Sequence, residues 1–292
     1  MKKYSKGKLK LKRGIKPLII LFVALFVVSI IILLISIFSK NVVVEKIDTS
    51  PSDVSSDIAI NSTPIVINNI IVGGVYENKW VAFEKYYLNS KNGEDTEVDV
   101  YSKSGKMGKY KIGKIVKDSK VTTAITTVSK SNLTNEYFAT ISRDNNIMTS
   151  PAKKIINIDE SYIKDVKKAL GLYLMFNSSV KITEAYDVTL SDDNKGYIIF
   201  ATNEINKKRG VYSAVVYVDL SSKAKVIKYS FIGDKKNAEE WPIYSLGFVA
   251  DLNNDGKNEI IIQETKEFDV KYDVIEFKNN NFYEVLSGEV KK

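Results

Sequence analysis

The segment Pro17–Phe38, PLIILFVALFVVSIIILLISIF, runs 22 residues without a charge, and only the hydroxyls of Ser29 and Ser36 interrupt it. As a helix rising about 1.5 Å per residue it reaches about 33 Å, enough for a hydrocarbon core of about 30 Å. Lipid offers the backbone no hydrogen bonds and a helix supplies its own, so the run predicts a transmembrane helix over 17–38. Residues 1–16 ahead of it carry seven lysines and Arg13, with no acid. A positive cluster of this kind stays on the cytoplasmic side, held by the anionic inner leaflet, which predicts the N-terminus inside and the rest outside. A cleaved signal peptide would show a shorter apolar core, about 7–15 residues, and a small-residue cleavage motif. Ile37-Phe38-Ser39-Lys40 stands where that motif would fall. The expected organisation is an uncleaved signal anchor in the cell membrane with a single pass. With a tail of 16 residues, no cytoplasmic domain is expected and the span reads as an anchor.

Charge follows the same partition. The chain has 43 Lys+Arg against 35 Asp+Glu, a net of +8. Eight of the positive charges lie in residues 1–16, leaving 35 against 35 beyond them. The outer region has no net pull on polyanions, so no nucleic-acid partner is expected. The chain contains no Cys and no His. That excludes disulfides, thiolate sites, a Ser-His-Asp triad and His-ligated zinc, and leaves the outer region to hold itself by its core. Abundant Lys, Ile and Asn without Cys match an AT-rich bacterial genome of Gram-positive type.

Residues 39–66 mix Ser, Thr, Asp and two prolines with few large apolar residues, which predicts an extended extracellular tether. From 67 to 150 the pattern is one of short strands. Glu77-Asn78-Lys79 and Asn92-Gly93 sit between apolar runs as hairpin turns, and Trp80 fits a core or half-buried position. An SH3-like small barrel would satisfy this meander. Within 151–177, Asp159 is a fitting N-cap for ESYIKDVKKALGLYLMF, with Ile163, Val166, Leu170, Tyr173 and Leu174 on one face and Lys164, Lys167 and Lys168 turned away. From 178 to 292 alternation returns: Tyr186, Val188 and Leu190 share a face, as do Ile227, Tyr229 and Phe231. The resulting sheet resembles a propeller blade or half a sandwich, and with no fixed-period repeat a full propeller is not expected. The fold class is therefore mainly β, in antiparallel meanders, with one amphipathic helix and the N-terminal transmembrane helix.

One stretch carries chemistry. Residues 248–263 read FVADLNNDGKNEIIIQ, a strand running into Asp251-x-Asn253-x-Asp255-Gly256-x-x-Glu259 and on into Ile260-Ile261-Ile262. Calcium is a hard ion that takes six to eight oxygens at about 2.3–2.6 Å. Side chains at 251, 253 and 255 can turn oxygens inward around a tight loop, Gly256 permits the reversal, the Lys257 carbonyl can point in, and Glu259 closes the far side. An EF-hand needs a bidentate acid at its twelfth position, which here is Ile262, and a dockerin-like loop needs a helix to follow. The acid at the ninth position, followed by a strand, resembles the calcium loops of FG-GAP and VCBS-type repeats. These occur in integrin α-subunits and many bacterial surface proteins. The resemblance covers about 20 residues, occurs once, and implies a structural Ca²⁺ held by Asp251, Asn253, Asp255, Lys257 and Glu259. Asp192-Asp193-Asn194-Lys195-Gly196 lacks a closing acid and reads as a hairpin tip.

Function is expected to be binding rather than catalysis, since no catalytic constellation is recognisable. The primary reading is a single-pass surface protein whose outer β region binds another protein or a cell-wall polymer. An accessory or sensory subunit of a membrane complex is the alternative, and an extracellular carbohydrate-active enzyme, using acids such as Glu239 and Glu240 beside Trp241, is a third.

Overall fold

The computed structural model describes residues 26, 29, 62–83, 94–103, 105–117, 124–128, 136–141, 152–157, 159–170, 180–202, 211–221, 223–232, 241–267 and 269–291. Of the segment 17–38 only Phe26 and Ser29 are described, both helical, and among the described residues no helix is long and apolar enough to cross a membrane. Asn92-Gly93, Tyr173, Leu174, Glu239 and Glu240 lie outside the described residues.

Residues 43–292 form one compact unit that is mainly β, with antiparallel sheets and a single described helix. The first sheet has seven strands: β1 (Thr63–Ile67), β2 (Ile70–Tyr76), β3 (Lys79–Ala82), β4 (Glu97–Ser102), β5 (Gly105–Lys111), β6 (Ala124–Ile125) and β7 (Phe138–Ile141). They run in the order β3-β2-β1-β7-β4-β5, with β6 on β2. β1 thus begins within the segment read as a tether. After β8 (Lys153–Lys154) and helix α1 (Glu160–Ala169) come β9 (Lys181–Ser191), β10 (Asn194–Thr202), β11 (Val211–Asp219) and β12 (Ala224–Ile232). These give a five-stranded sheet in the order β12-β11-β10-β9-β8. The last four strands, β13 (Ile243–Ala250), β14 (Glu259–Thr265), β15 (Asp269–Lys278) and β16 (Asn281–Lys291), form a simple meander.

That last meander is the middle layer. Ile260, Ile261 and Ile262 are all 0 % exposed, which an antiparallel strand permits only when both its faces are covered. Ile261 packs towards the first sheet with Phe248, Val274 and Leu286. Ile260 and Ile262 pack towards the five-stranded sheet, against Leu190, Phe200 and Val215. Tyr101 stacks on Phe138 at 5.1 Å between ring centroids, and Phe138 meets Phe248 edge-on at 5.0 Å, joining the first sheet to the central one. Trp80 packs on the same core. Here β2 comes close to β16: a Cβ on Gly73 would lie 2.5 Å from Leu286 Cδ2.

The expected small barrel does not close. The first sheet curls over a second core of Val66, Ile71, Val98, Val100 and Ile112, but among the described residues the chain beyond β5 meets the segment 124–128 through two isolated bridges, Ile112–Val128 and Val116–Ile125, and hydrogen bonds at Gly113, not through a strand ladder. A two-residue β6 cannot supply a continuous ladder. The hairpin turns are sharp where asparagine permits. Asn68-Asn69, Glu77-Asn78 and Asn279-Asn280 each place two successive residues at positive φ, the arrangement that matches strand twist in a two-residue hairpin.

Helix α1 covers the outer face of the five-stranded sheet. The Asp159 carboxylate accepts the Ser161 N–H at 2.7 Å, satisfying one orphan donor of the first turn. Val166 and Leu170 are fully buried against Ile199, Tyr212, Ala214 and Val216, while Lys164, Lys167 and Lys168 face solvent.

The inner face of that sheet carries a charge cluster. Val215 pairs with Lys228 and Val216 with Val226, so Ile227 is an extra residue, a β-bulge. Ile227 and Lys228 therefore both turn towards the central sheet. Lys228 Nζ bonds the Asp273 carboxylate and lies 3.3 Å from Glu284 Oε2, and Lys271 Nζ lies 2.8 Å from Asp273 Oδ1. Burial alone would push the Asp273 carboxyl up, but Lys228 and Lys271 outweigh it and hold the group below the usual carboxylate range.

Candidate metal centre

The loop joining β13 to β14 is organised by its own acids. Ala250 pairs with Glu259 across its mouth, and the backbone between them turns at Asn254 (φ 66) and Gly256 (φ 84). The left-handed value at Gly256 is one that a side chain would resist. Asp251 Oδ1 accepts the N–H groups of Asn254 at 2.6 Å and Asp255 at 3.2 Å, and its Oδ2 accepts that of Gly256 at 3.1 Å. Asn253 Oδ1 accepts the Asp255 N–H at 3.1 Å, and Asp255 Oδ1 that of Lys257 at 2.9 Å. Glu259 reaches back so that Oε2 accepts the Leu252 N–H at 2.8 Å. Each of the side chains at 251, 253, 255 and 259 thus turns at least one oxygen onto the loop backbone.

Burial divides these residues. Asn253 and Glu259 are each 1 % exposed and Asp251 is 9 %, whereas Asp255 and Lys257 are exposed. Glu259 Oε1 is buried without a hydrogen-bond partner. Burial pushes the Glu259 carboxyl well above its usual range; the Leu252 N–H opposes this, and Asp251, Asp255 and Glu276 add to it. The donors are all oxygens, which suits a hard cation, and an orphaned buried oxygen among acids is the kind of group such an ion satisfies. Among the described residues, however, no group of three or more acids already stands as a metal shell.

The loop is also fastened to both neighbouring layers. Leu252 is 0 % exposed in the core beneath the first sheet, and its carbonyl accepts the Thr140 hydroxyl of β7 at 3.3 Å. On the other side the Asn258 N–H donates to the Leu190 carbonyl at 2.7 Å, and Asn258 Nδ2 to that of Thr189 at 2.8 Å. Sequence reasoning singled out neither Thr140 nor Asn258, nor Glu276 on β15. Thr140 and Glu276 come to the loop through strand pairing and sheet packing, and Asn258, a loop residue, finds its partners in β9, none of which leaves a local signal.

Asp192 and Asp193 form the turn between β9 and β10, the hairpin tip expected there. No family model, curated protein or solved structure matches this chain.

Proposed function

We propose that the chain is a single-pass membrane-anchored surface protein, with a cytoplasmic N-terminus and an outer β unit that binds another protein or a cell-wall polymer. A structural calcium ion at residues 251–259 clasps that unit. The anchor rests on the uncharged run 17–38 behind a tail of eight positive charges. The observation that carries the calcium is Glu259 Oε1, a carboxylate oxygen buried without a partner beside further acids. Asp251, Asn253, Asp255 and Glu259 would hold the ion by their side-chain oxygens and Lys257 by its carbonyl. Each of these side chains already orders a backbone N–H of the same loop, which supports a structural role over a catalytic one.

Protease added to intact protoplasts tests the reading. It should cut in the tether, release the outer unit and leave an N-terminal tag protected. Calcium should slow cleavage within 251–259 relative to chelator. A mature chain beginning near residue 40 in untreated cells would mean a cleaved signal and overturn the anchor.

A further inference from the structure

The central sheet offers the loop an acid from outside its own sequence. Ile260 on β14 pairs with Ile275 on β15, so Glu259 and Glu276, one step further along each strand, lie side by side on one face. That face is the one on which Ile261 and Leu252 pack, under the loop. Glu276 is 5 % exposed, and its Oε2 is buried without a hydrogen-bond partner. Two neighbouring carboxylates, each with an orphaned buried oxygen, sit with no lysine or arginine paired to either among the described ion pairs. Buried charges of like sign are costly unless a cation is placed between them.

We infer that Glu276 is part of the cation site, so that one divalent ion is shared between the 251–259 loop and strand β15. This rests on the calcium reading and extends it. A loop-contained ion would tie only β13 to β14. An ion shared with Glu276 ties the loop to three consecutive strands of the central sheet. It also makes affinity depend on a residue 17 positions beyond Glu259, outside any local motif.

Calorimetric titration of the full-length chain in detergent with calcium chloride tests this, alongside thermal melting in calcium and in chelator. Wild type should bind one ion. Glu276→Gln should bind about tenfold more weakly, the loss typical when a supporting group of a metal site is removed. It should also melt higher than wild type in chelator, because one of two abutting acids is gone. Asp193→Asn, an exposed acid at the β9–β10 turn, should leave affinity unchanged. Equal loss in that control would reduce the effect to general charge and overturn the inference. Wild-type binding with unaltered affinity in Glu276→Gln would overturn it and leave the calcium loop standing. No binding to wild type at millimolar calcium would remove both. Should Glu276→Gln fail to fold, Glu276→Asp withdraws the carboxylate by one methylene; a severalfold weaker affinity is expected, and an unchanged one overturns the inference.

Discussion

Replacing Lys228 with methionine should be among the most damaging single changes in the unit formed by residues 43–292. The cluster it belongs to is balanced, with Lys228 and Lys271 facing Asp273 and Glu284. The Asp273 side chain is 0 % exposed and that of Lys228 10 %, so solvent cannot take over the lost partner. At an effective dielectric of about 20, the Lys228–Glu284 contact of 3.3 Å is worth about 5 kcal/mol gross, before desolvation is subtracted. Removing one partner of a buried pair costs about 3–5 kcal/mol, because the opposite charge stays buried. For a unit of this size that corresponds to a fall of roughly 6–20 °C in melting temperature. Lys228→Met combined with Asp273→Asn restores neutrality, with Lys271 and Glu284 still 3.6 Å apart, and should recover most of the loss. Thermal and urea unfolding of wild type, both single variants and the double variant provide the cycle. A loss below about 1 kcal/mol in Lys228→Met, or a double variant no more stable than that single, would refute the argument.

Because Asp273 is held below its usual range, the stability it contributes is present above its unfolded value of about 3.9 and is lost as pH falls through its lower folded value. In urea titrations the gap between wild type and Asp273→Asn should therefore hold from pH 7 to pH 5 and close below about pH 4. Leu170→Ala empties a fully buried position under α1 and should cost about 2–5 kcal/mol, read by the same method. With calcium at ten times a dissociation constant near 10⁻⁴ M, linkage adds about 1.4 kcal/mol, so wild type should melt roughly 3–6 °C higher than in chelator. Asp255→Ala should abolish that shift; identical wild-type melting in both buffers would leave the loop a plain turn.

Local chemistry was legible in the sequence wherever a residue acts on its own neighbours. Asp159 caps α1 as its position before an apolar stripe predicts, and Glu77-Asn78 turns a hairpin. Val188 and Leu190 share the buried face that their alternation implies. The alternation reading fails at Ile227. Strict period two places Lys228 opposite Ile227, but the bulge turns both to one side and buries the lysine among acids. A bulge depends on the partner strand, so β12 alone cannot announce it. The barrel failed for a related reason: turn spacing in 67–150 counts strands but does not say whether the last ladder is long enough to close. At the candidate site the loop acids were visible by spacing, whereas Glu276 became a neighbour only once β14 and β15 were in register.

If the chain is anchored as proposed, the position of β1 bears on how the β unit would carry mechanical load. β1 is an interior strand, held by β2 over five residue pairs on one edge and by β7 over two on the other. Tension arriving at Thr63 along the preceding chain would meet the β2 ladder alone at Thr63, Pro64 and Ile65, and both ladders together at Val66 and Ile67. The same tension at Lys291 would meet an edge strand, since among the described residues β16 has a ladder only to β15, whose pairs begin at Asp269–Lys291. Loaded from Thr63, the unit would thus be gripped by an interior strand, and loaded from Lys291 by an edge strand.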